Sequence, residues 1–394
     1  MFRVFKIFGV LICGGLVACI TPFSPSGMDA GGGTIVIEGD IILNGDTKVY
    51  VSESRALEGN ESVRYLSNAI VSVQSDQGEV YMGALIFSVE MTTRPYYLIN
   101  TKGLPLDRRY WLSVSLPDGR TFYSEPQTPL ITPEIDSIEF FVNESKTAVD
   151  FTVTTYSDRH FSPYYRWTFT DDWEVHSYYH PMYYFDPLMG EFLPYPEYPP
   201  PIYYCWNRSE STAIVVAQTD QLENNTVYRQ KVYTIGHTSD KISVLYANEV
   251  QQISLSLEAH RYWETLRKNT DEIGGIFAPQ PSEQYGNIHT VPMDDKVSER
   301  VLGYISVGTV ATKRLFVSEE EIDIYNPEYQ CANSSIYFDK EADHMYLYRN
   351  GYRVSEASYD PMLGEVIWWA LAVCVDCTTR GTKNKPSFWP NDHI

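Results

Sequence analysis

The sequence predicts a mainly β protein with two antiparallel β-sandwich domains of the immunoglobulin-like or fibronectin-like type and one inserted helix. Three observations predict this class. The chain contains 31 Tyr and 17 Phe, residues that favour strands. Short runs with alternating apolar and polar residues recur between turn signals such as Pro117-Asp118-Gly119. Only residues 256–269 combine helical spacing of apolar positions with a length typical of helices.

The first residues form an export signal. Arg3 and Lys6 precede an uncharged, mostly apolar run, which is shorter than the roughly 20 residues that a membrane-spanning helix needs. Residues 1–18 are therefore predicted to be a lipoprotein signal peptide. Cys19 follows this run after a few small residues and is the predicted lipidation site. Its acyl chains would anchor the mature protein in a lipid bilayer.

The rest of the chain divides at changes in composition. Residues 19–33 are rich in Pro, Ser and Gly and are predicted to be a flexible tether. Residues 34–132 carry short strands and turns, which predict an N-terminal β-sandwich. Residues 133–394 are predicted to be a second β-sandwich. This second domain contains a Tyr/Pro-rich insertion at residues 176–206, the helix at residues 256–269 and a disulfide-linked C-terminal tail of weak pattern.

The charge of the chain excludes several partners. Arg3 and Lys6 leave with the signal peptide, so 28 of the 30 Lys and Arg remain against 51 Asp and Glu, a net charge of −23. This charge opposes binding to nucleic acid. It also opposes adhesion to an anionic lipid surface, which leaves attachment to the bilayer to Cys19.

Four cysteines remain in the chain besides the leader cysteine and Cys19. Their even number in an exported protein predicts two disulfides, and the sequence leaves the pairing open. Two of them have CxxC spacing. However, neither the βαβ context of a redox pair nor the second close pair of a zinc site accompanies them. The predicted disulfide cysteines are Cys205, Cys331, Cys374 and Cys377.

Residues 176–206 are the predicted recognition surface. They hold eight tyrosines and seven prolines, too many prolines for a helix or a central strand. Tyrosine offers a broad, stiff, amphipathic surface that is enriched at binding sites. The same rings could instead pack onto the domain as core. If the rings are exposed but do not bind the partner, residues 279–287 are the next candidate surface. The predicted partner- or ligand-binding residues are Tyr178, Tyr179, Tyr183, Tyr184, Tyr195, Tyr198, Tyr203 and Tyr204.

No motif points to catalysis or to a cofactor. The chain lacks a GxSxG nucleophile elbow, a P-loop, a dinucleotide-binding glycine pattern and HExxH. His176 and His180 have the spacing of a helical metal pair, but the prolines around them oppose a helix. Acidic pairs such as Asp171-Asp172 lack the spacing of a calcium loop. We therefore expect no enzyme activity, no metal and no cofactor.

A series of motifs gives the chain a resemblance to a known family. With the leader and the first strand, it resembles the domain-of-unknown-function 4249 family of Bacteroidetes over nearly the whole mature chain. The motifs are Tyr164-Tyr165-Arg166-Trp167, Cys205-Trp206, Tyr262-Trp263-Glu264, Gly274-Gly275-Ile276-Phe277, Pro279-Gln280-Pro281-Ser282, Gly286-Asn287-Ile288, Val301-Leu302-Gly303-Tyr304, Cys374-Val375-Asp376-Cys377, Arg380-Gly381-Thr382 and Lys385-Pro386-Ser387-Phe388-Trp389-Pro390.

This resemblance implies an outer-membrane lipoprotein whose gene lies beside that of a TonB-dependent receptor, with no established catalytic residues. Our first hypothesis is a binding or accessory subunit of a TonB-dependent transporter that captures ligand or covers the barrel. Its expected partners are the bilayer, the barrel and a glycan or peptide ligand. The alternatives are an envelope hydrolase acting on glycan or peptide and a structural envelope lipoprotein.

The expected location is the cell surface rather than the periplasmic face of the outer membrane. One departure from the family pattern bears on this choice. Residues 20–24 lack the acidic residues that surface lipoproteins of that phylum usually carry after the lipidated cysteine.

Overall fold

The computed structural model describes residues 33–54, 63–87, 94–222, 224–271, 286–291, 301–327, 330–337, 341–362 and 364–391. The protein is mainly β, as predicted, with four α-helices in this part of the chain. The signal peptide, Cys19 and nearly all of the tether lie outside the described residues. No helix among the described residues is long and apolar enough to span a membrane.

Strands make up most of the regular structure. The first ten are β1 Ile35–Gly39, β2 Ile41–Ile42, β3 Asp46–Glu53, β4 Arg64–Tyr65, β5 Ile70–Ser75, β6 Val80–Met82, β7 Ala84–Ile86, β8 Tyr96–Asn100, β9 Tyr110–Ser115 and β10 Thr121–Ser124. The next nine are β11 Ser137–Val142, β12 Ala148–Thr155, β13 Tyr164–His176, β14 Tyr183–Asp186, β15 Glu191–Pro194, β16 Tyr204–Glu210, β17 Val215–Gln218, β18 Val227–Gly236 and β19 Leu245–Ser254. The last seven are β20 Ile288–Val291, β21 Val301–Leu302, β22 Val307–Gly308, β23 Val310–Ser318, β24 Asn333–Tyr337, β25 Tyr352–Asp360 and β26 Gly364–Leu371.

The helices lie late in the chain. They are α1 Leu257–Asp271, α2 Glu319–Ile322, α3 Glu341–Arg349 and α4 Ala372–Val375, with single 3₁₀ turns at Asp240–Ile242 and Cys377–Thr379.

Two sheets share the first core. The first sheet has the order β21-β1-β3-β8-β7, with β4 beside β3, and the second has the order β20-β10-β9-β5-β6. Ile35 and Ile37 of β1 belong to the same buried cluster as Phe122 of β10. Alternate residues of β1 are buried because successive side chains of a strand point to opposite faces. The predicted Pro-Asp-Gly hairpin joins β9 to β10, and Gly119 in its turn has a φ of 93°, which favours glycine.

The chain returns to this core after a long excursion. β20 pairs with β10, β21 runs parallel to β1, and β22 runs parallel to β2. Asn287 joins the segment before β20 to the segment between β21 and β22. Its Nδ2 donates to Ile305 O at 2.9 Å, and its Oδ1 accepts from Ile305 N at 2.9 Å. Gly303 lies so close to β1 that a Cβ there would collide with Ile37 O. The sequence-based grouping of residues 34–132 did not anticipate these three strands.

Two more sheets form the central part of the molecule. The third sheet has the order β11-β12-β18, and the fourth has the order β16-β13-β19-β23, with β17 beside β13. Val153, Trp167 and Val250 belong to a core drawn from both sheets. Gln252 is buried there with its amide satisfied, because Oε1 accepts from Trp167 Nε1 at 2.8 Å and Nε2 donates to Pro133 O at 2.9 Å.

Two regions have more regular structure than the sequence predicted. The C-terminal tail forms a three-stranded C-terminal sheet of order β24-β26-β25, with α3 preceding β25. The Tyr/Pro-rich insertion contains the hairpin β14-β15. Its prolines are compatible with strands because Pro187 lies in the turn and Pro194 ends β15, where no ladder donor is needed. The predicted helix at 256–269 is α1, Leu257–Asp271.

Candidate functional site

Residues 176–206, the Tyr/Pro segment, leave and rejoin the fourth sheet at one point. His176 at the end of β13 pairs with Tyr204 at the start of β16. Ser177 closes the base of the segment, since its N donates to Tyr203 O at 3.1 Å and its Oγ donates to Ile202 O at 2.8 Å. The segment is therefore an excursion from a continuous antiparallel ladder, held at both ends by the sheet.

The eight predicted tyrosines fall into two sets by burial. Three are exposed, and five are half-buried. The half-buried rings pack onto the protein, and the exposed rings are accessible to a partner. The exposed set is Tyr178, Tyr183 and Tyr198, and the half-buried set is Tyr179, Tyr184, Tyr195, Tyr203 and Tyr204.

The half-buried rings attach the segment to its surroundings. The rings of Tyr203 and Tyr204 lie 5.0 and 4.9 Å from the ring of His176, centroid to centroid. Tyr179 N donates to Cys374 O at 2.9 Å, and Tyr179 OH donates to Cys331 O at 3.2 Å. These contacts fix the segment against both the end of β13 and the C-terminal tail.

Between the Tyr/Pro segment and the C-terminal sheet lies a small cavity of about 140 Å³, the aromatic cleft. Its walls are mostly aromatic, and the rings of Tyr184 and Tyr195 lie 5.1 Å apart. Phe185 and Trp369 belong to the buried cluster behind the cleft. The lining residues are Tyr184, Phe185, Tyr195, Ile202, Tyr348, Arg353, Val354, Trp369 and Asp376.

The cleft contains one cation and one anion. The Arg353 guanidinium lies 4.4 Å from the centre of the Tyr348 ring, and its Nη1 donates to Tyr352 O at 2.8 Å. Asp376 Oδ1 accepts from Thr378 N at 2.9 Å. Burial raises the pKa of Tyr195 to about 12, with the Asp376 carboxylate as a smaller cause. The Tyr195 hydroxyl therefore stays protonated at physiological pH.

This combination suits binding of a ring or a single side chain. Aromatic faces supply apolar contact, while Arg353, Asp376 and the Tyr195 hydroxyl supply donors and acceptors that fix orientation. The cleft is smaller than the roughly 300 Å³ at which sites for drug-sized ligands begin. It can hold one sugar ring or one large amino-acid side chain of a bigger ligand.

Beside the cleft, the tip of the β14-β15 hairpin presents apolar side chains to solvent. Leu188 is 96 % exposed and Met189 is 67 % exposed. Asp186 fixes this tip, because its Oδ1 accepts from Leu188 N at 2.8 Å and from Met189 N at 3.2 Å. The exposed apolar surface is thus presented by an ordered turn.

Two disulfides fasten the region around the Tyr/Pro segment. The four cysteines pair as Cys205–Cys377 and Cys331–Cys374, which resolves the pairing that the sequence left open. The CxxC cysteines are therefore not bonded to each other. Each instead joins the helical turns after β26 to a distant part of the chain.

The histidines of the segment contact a carboxylate and an aromatic ring. His176 Nε2 lies 2.6 Å from Glu174 Oε1, and the His180 ring contacts the Tyr198 ring at 5.6 Å between centroids. No group of three His, Cys, Asp or Glu among the described residues is placed to hold a metal ion. His176 is half-buried at the end of β13.

Sequence reasoning missed the five residues of the cleft wall that come from the C-terminal tail, which was predicted to be weakly patterned. They are Tyr348, Arg353, Val354, Trp369 and Asp376. Val354 stands between polar residues in β25, and Trp369 stands in the continuous apolar run of β26; both patterns are typical of strands. Arg353 and Asp376 carry no such signal, because their role depends on contacts with a distant segment.

The comparisons with known proteins add one finding. A family described as "Domain of unknown function (DUF4249)" matches residues 20–314. The matched range includes the first three sheets, the Tyr/Pro segment and the fourth sheet as far as the middle of β23. It ends before the C-terminal sheet that forms the other wall of the aromatic cleft. No curated protein matches the sequence.

Proposed function

The chain belongs to this DUF4249 family, and on that premise we propose that it is a lipid-anchored binding protein of the bacterial outer membrane. In this proposal it is an accessory subunit of a TonB-dependent transporter, capturing ligand for the barrel or covering its opening. Cys19 carries the anchor, and the cell surface is the proposed location. The Tyr/Pro segment is the recognition surface, and the protein acts by binding rather than by catalysis.

The scaffold in this proposal is a pair of β-sandwiches of the immunoglobulin or fibronectin type. The shared core of the first and second sheets supports one sandwich, and the core between the third and fourth sheets supports the other. Such scaffolds commonly carry binding residues on the loops that leave their sheets. The Tyr/Pro segment leaves the fourth sheet in this manner.

One observation carries the proposal, namely that the segment exposes large apolar side chains although it is firmly held. Tyr178 and Tyr198 are 68 % and 64 % exposed, while their neighbours are tied down by Tyr179 and by the disulfide at Cys205. A surface that is ordered before binding loses little conformational entropy on binding. Aromatic residues in such surfaces are frequent hot spots.

The test is a triple variant, Tyr178→Ala, Tyr183→Ala and Tyr198→Ala, in the full-length protein. Exposed rings contribute little to folding, so we expect the melting temperature to stay near that of the wild type. A lost hot-spot contact costs about 2 kcal/mol or more of binding free energy. We therefore expect a pull-down from native membranes in mild detergent to recover much less of the transporter barrel, identified by mass spectrometry.

The matched control is the pair Tyr156→Ala and Tyr228→Ala, which removes two exposed rings elsewhere. We expect this control to retain the barrel. Recovery of the barrel by the triple variant at wild-type level would place the docking surface elsewhere. A wild-type pull-down without any barrel would contradict the transporter partnership itself.

A further inference from the structure

A second and larger cleft lies between the first and fourth sheets. This junction cleft has a volume of about 320 Å³. Its lining residues are Gly39, Asp40, Ile42, Gly45, Asp46, Lys48, Arg166, Thr168, Gln251, Gln252, Ile253 and Val310. A cavity of this size lies within the range of small-molecule sites.

The strand register places the polar residues of one wall together. Arg166 pairs with Ile253, and Thr168 pairs with Gln251, in the antiparallel ladder of β13 and β19. Paired residues point to the same face of a sheet, so these four side chains form one surface. The opposite wall comes from β1, β2 and β3 and carries Asp40.

The base of the cleft holds a buried ion pair between Arg166 and Asp40. The Arg166 guanidinium also lies 4.2 Å from the centre of the Trp263 ring of α1. Two polar atoms of the pair, Arg166 Nε and Asp40 Oδ1, are buried without a hydrogen-bond partner among the described residues. Unsatisfied buried polar atoms are costly and uncommon in native proteins, so the two charges are incompletely compensated. The Arg166 side chain is 9 % exposed and the Asp40 side chain is 12 % exposed, which leaves part of each at the cleft surface.

The signs of these groups define a complementary ligand. A cationic donor matches a carboxylate, and an anionic acceptor matches an ammonium group. At the rim of the cleft, Lys48 and Asp46 are both exposed and supply a second cation and a second anion. The remaining wall includes the apolar side chains of Ile42 and Ile253. No aromatic ring is among the lining residues, so the cleft lacks the flat platform on which a sugar ring stacks.

We propose that the junction cleft binds a free α-amino acid with an apolar side chain. Its ammonium and carboxylate, carried on one carbon, contact Asp40 and Arg166 together, and its side chain lies against Ile42, Ile253 and Val310. This site is independent of the transporter partner and of the Tyr/Pro segment, so it stands or falls separately from the function proposed above.

The experiment is isothermal titration calorimetry of the full-length protein in detergent, with L-leucine as the probe. We expect L-leucine to bind, and N-acetyl-L-leucine and L-leucinamide, which lack one charge each, to bind at least about tenfold more weakly. Glycine tests the apolar wall, and we expect it to bind more weakly than leucine. D-glucose tests the alternative of a sugar site, and we expect no binding.

A variant that fills the cleft provides a test that leaves the buried ion pair intact. Gln251→Trp places a large side chain into the cleft from an exposed position, and we expect it to abolish leucine binding. Gln218→Trp, the same change at an exposed position of β17, should bind leucine like the wild type. Each of three results would overturn the proposal: no heat with leucine, equal affinity for the blocked derivatives, or unchanged binding by Gln251→Trp.

Discussion

Glu174 shows how a single carboxylate on β13 can be buried and still be compensated. Its side chain has no exposed surface. One oxygen lies 2.6 Å from His176 Nε2, and the other accepts from Trp389 Nε1 at 2.7 Å. Burying a charge without hydrogen bonds is costly, and these two contacts compensate that cost. They also link the end of β13 to the C-terminal residues. Asp172, two residues earlier on the same face, is also buried, and it is less well compensated.

Trp389→Phe should destabilise the protein. The substitution keeps an aromatic ring but removes the N–H that donates to Glu174, so we expect a loss of about 1–3 kcal/mol in the free energy of unfolding. The control is Trp368→Phe, which removes an indole donor to Ser358 at an exposed hydrogen bond. Urea unfolding of both variants measures the difference. Equal losses would contradict the role assigned to Glu174.

Asp172 should make stability depend on pH. Burial raises the pKa of its carboxyl from 3.8 to about 6, against a lowering by Arg208 and Arg314, while Glu249 and Asp171 raise it slightly. The folded protein therefore binds more protons than the unfolded chain between these two pH values. This contribution of Asp172 to the free energy of unfolding is fully present below pH 3.8, the pKa of the carboxyl in the unfolded chain. It is lost as the pH rises through about 6, the pKa in the folded protein.

Asp172→Asn mimics the protonated carboxyl and so should remove this dependence. We expect the variant and the wild type to be equally stable near pH 4, and the variant to be more stable by about 3 kcal/mol near pH 7.5. The substitution also removes the ion pair between Asp172 Oδ1 and Arg208 Nη1, which lie 3.4 Å apart. Because Arg208 is half exposed, losing this ion pair costs little stability. Thermal melts across this pH range give the result. A gap that stays constant with pH would refute the assignment.

At the scale of elements, the two disulfides join the same short helical turns to different partners. Cys377 of the second 3₁₀ turn bonds to Cys205 of β16, and Cys374 of α4 bonds to Cys331 before β24. The first bond spans 172 residues and the second spans 43. A bond that closes a longer loop restricts the unfolded chain more.

The double variant Cys205→Ser/Cys377→Ser should therefore lose more stability than Cys331→Ser/Cys374→Ser. We expect the difference in the free energy of unfolding to be about 1 kcal/mol. Denaturant melts of both variants under non-reducing conditions provide the comparison. Intact-mass analysis after alkylation checks the premise, since the wild type should have no free thiol at these four positions. The reverse order of stabilities would show that the difference arises in the folded state rather than from restriction of the unfolded chain.

At the scale of the whole molecule, the proposed attachment to the membrane is through the lipid on Cys19 alone. Cys19→Ser should therefore move the protein from the membrane pellet to the soluble fraction, with loss of palmitate label. A variant that stays wholly in the pellet without label would contradict the lipid anchor.

The sequence predicted what depends on local pattern and missed what depends on distant contacts. The β class, the helix α1 and the hairpin of β9 and β10 follow from periodicity and turn residues within a few positions. The return of β20 to β10 could not be predicted, because the two strands lie far apart in the chain and nothing local to either strand specifies its partner. The junction cleft was missed for the same reason, since Asp40 and Arg166 meet only in the folded chain.

The late return of β20, β21 and β22 has a consequence for the order in which the protein is made. Strand β1 leaves the ribosome early, yet its parallel neighbour at Val301 follows only after most of the chain has been synthesised. Until then, one edge of β1 and one edge of β10 carry unpaired backbone groups, which are prone to associate with other chains. We therefore expect that the N-terminal half of the nascent protein is bound by a chaperone, or stays unfolded, until residue 308 has emerged.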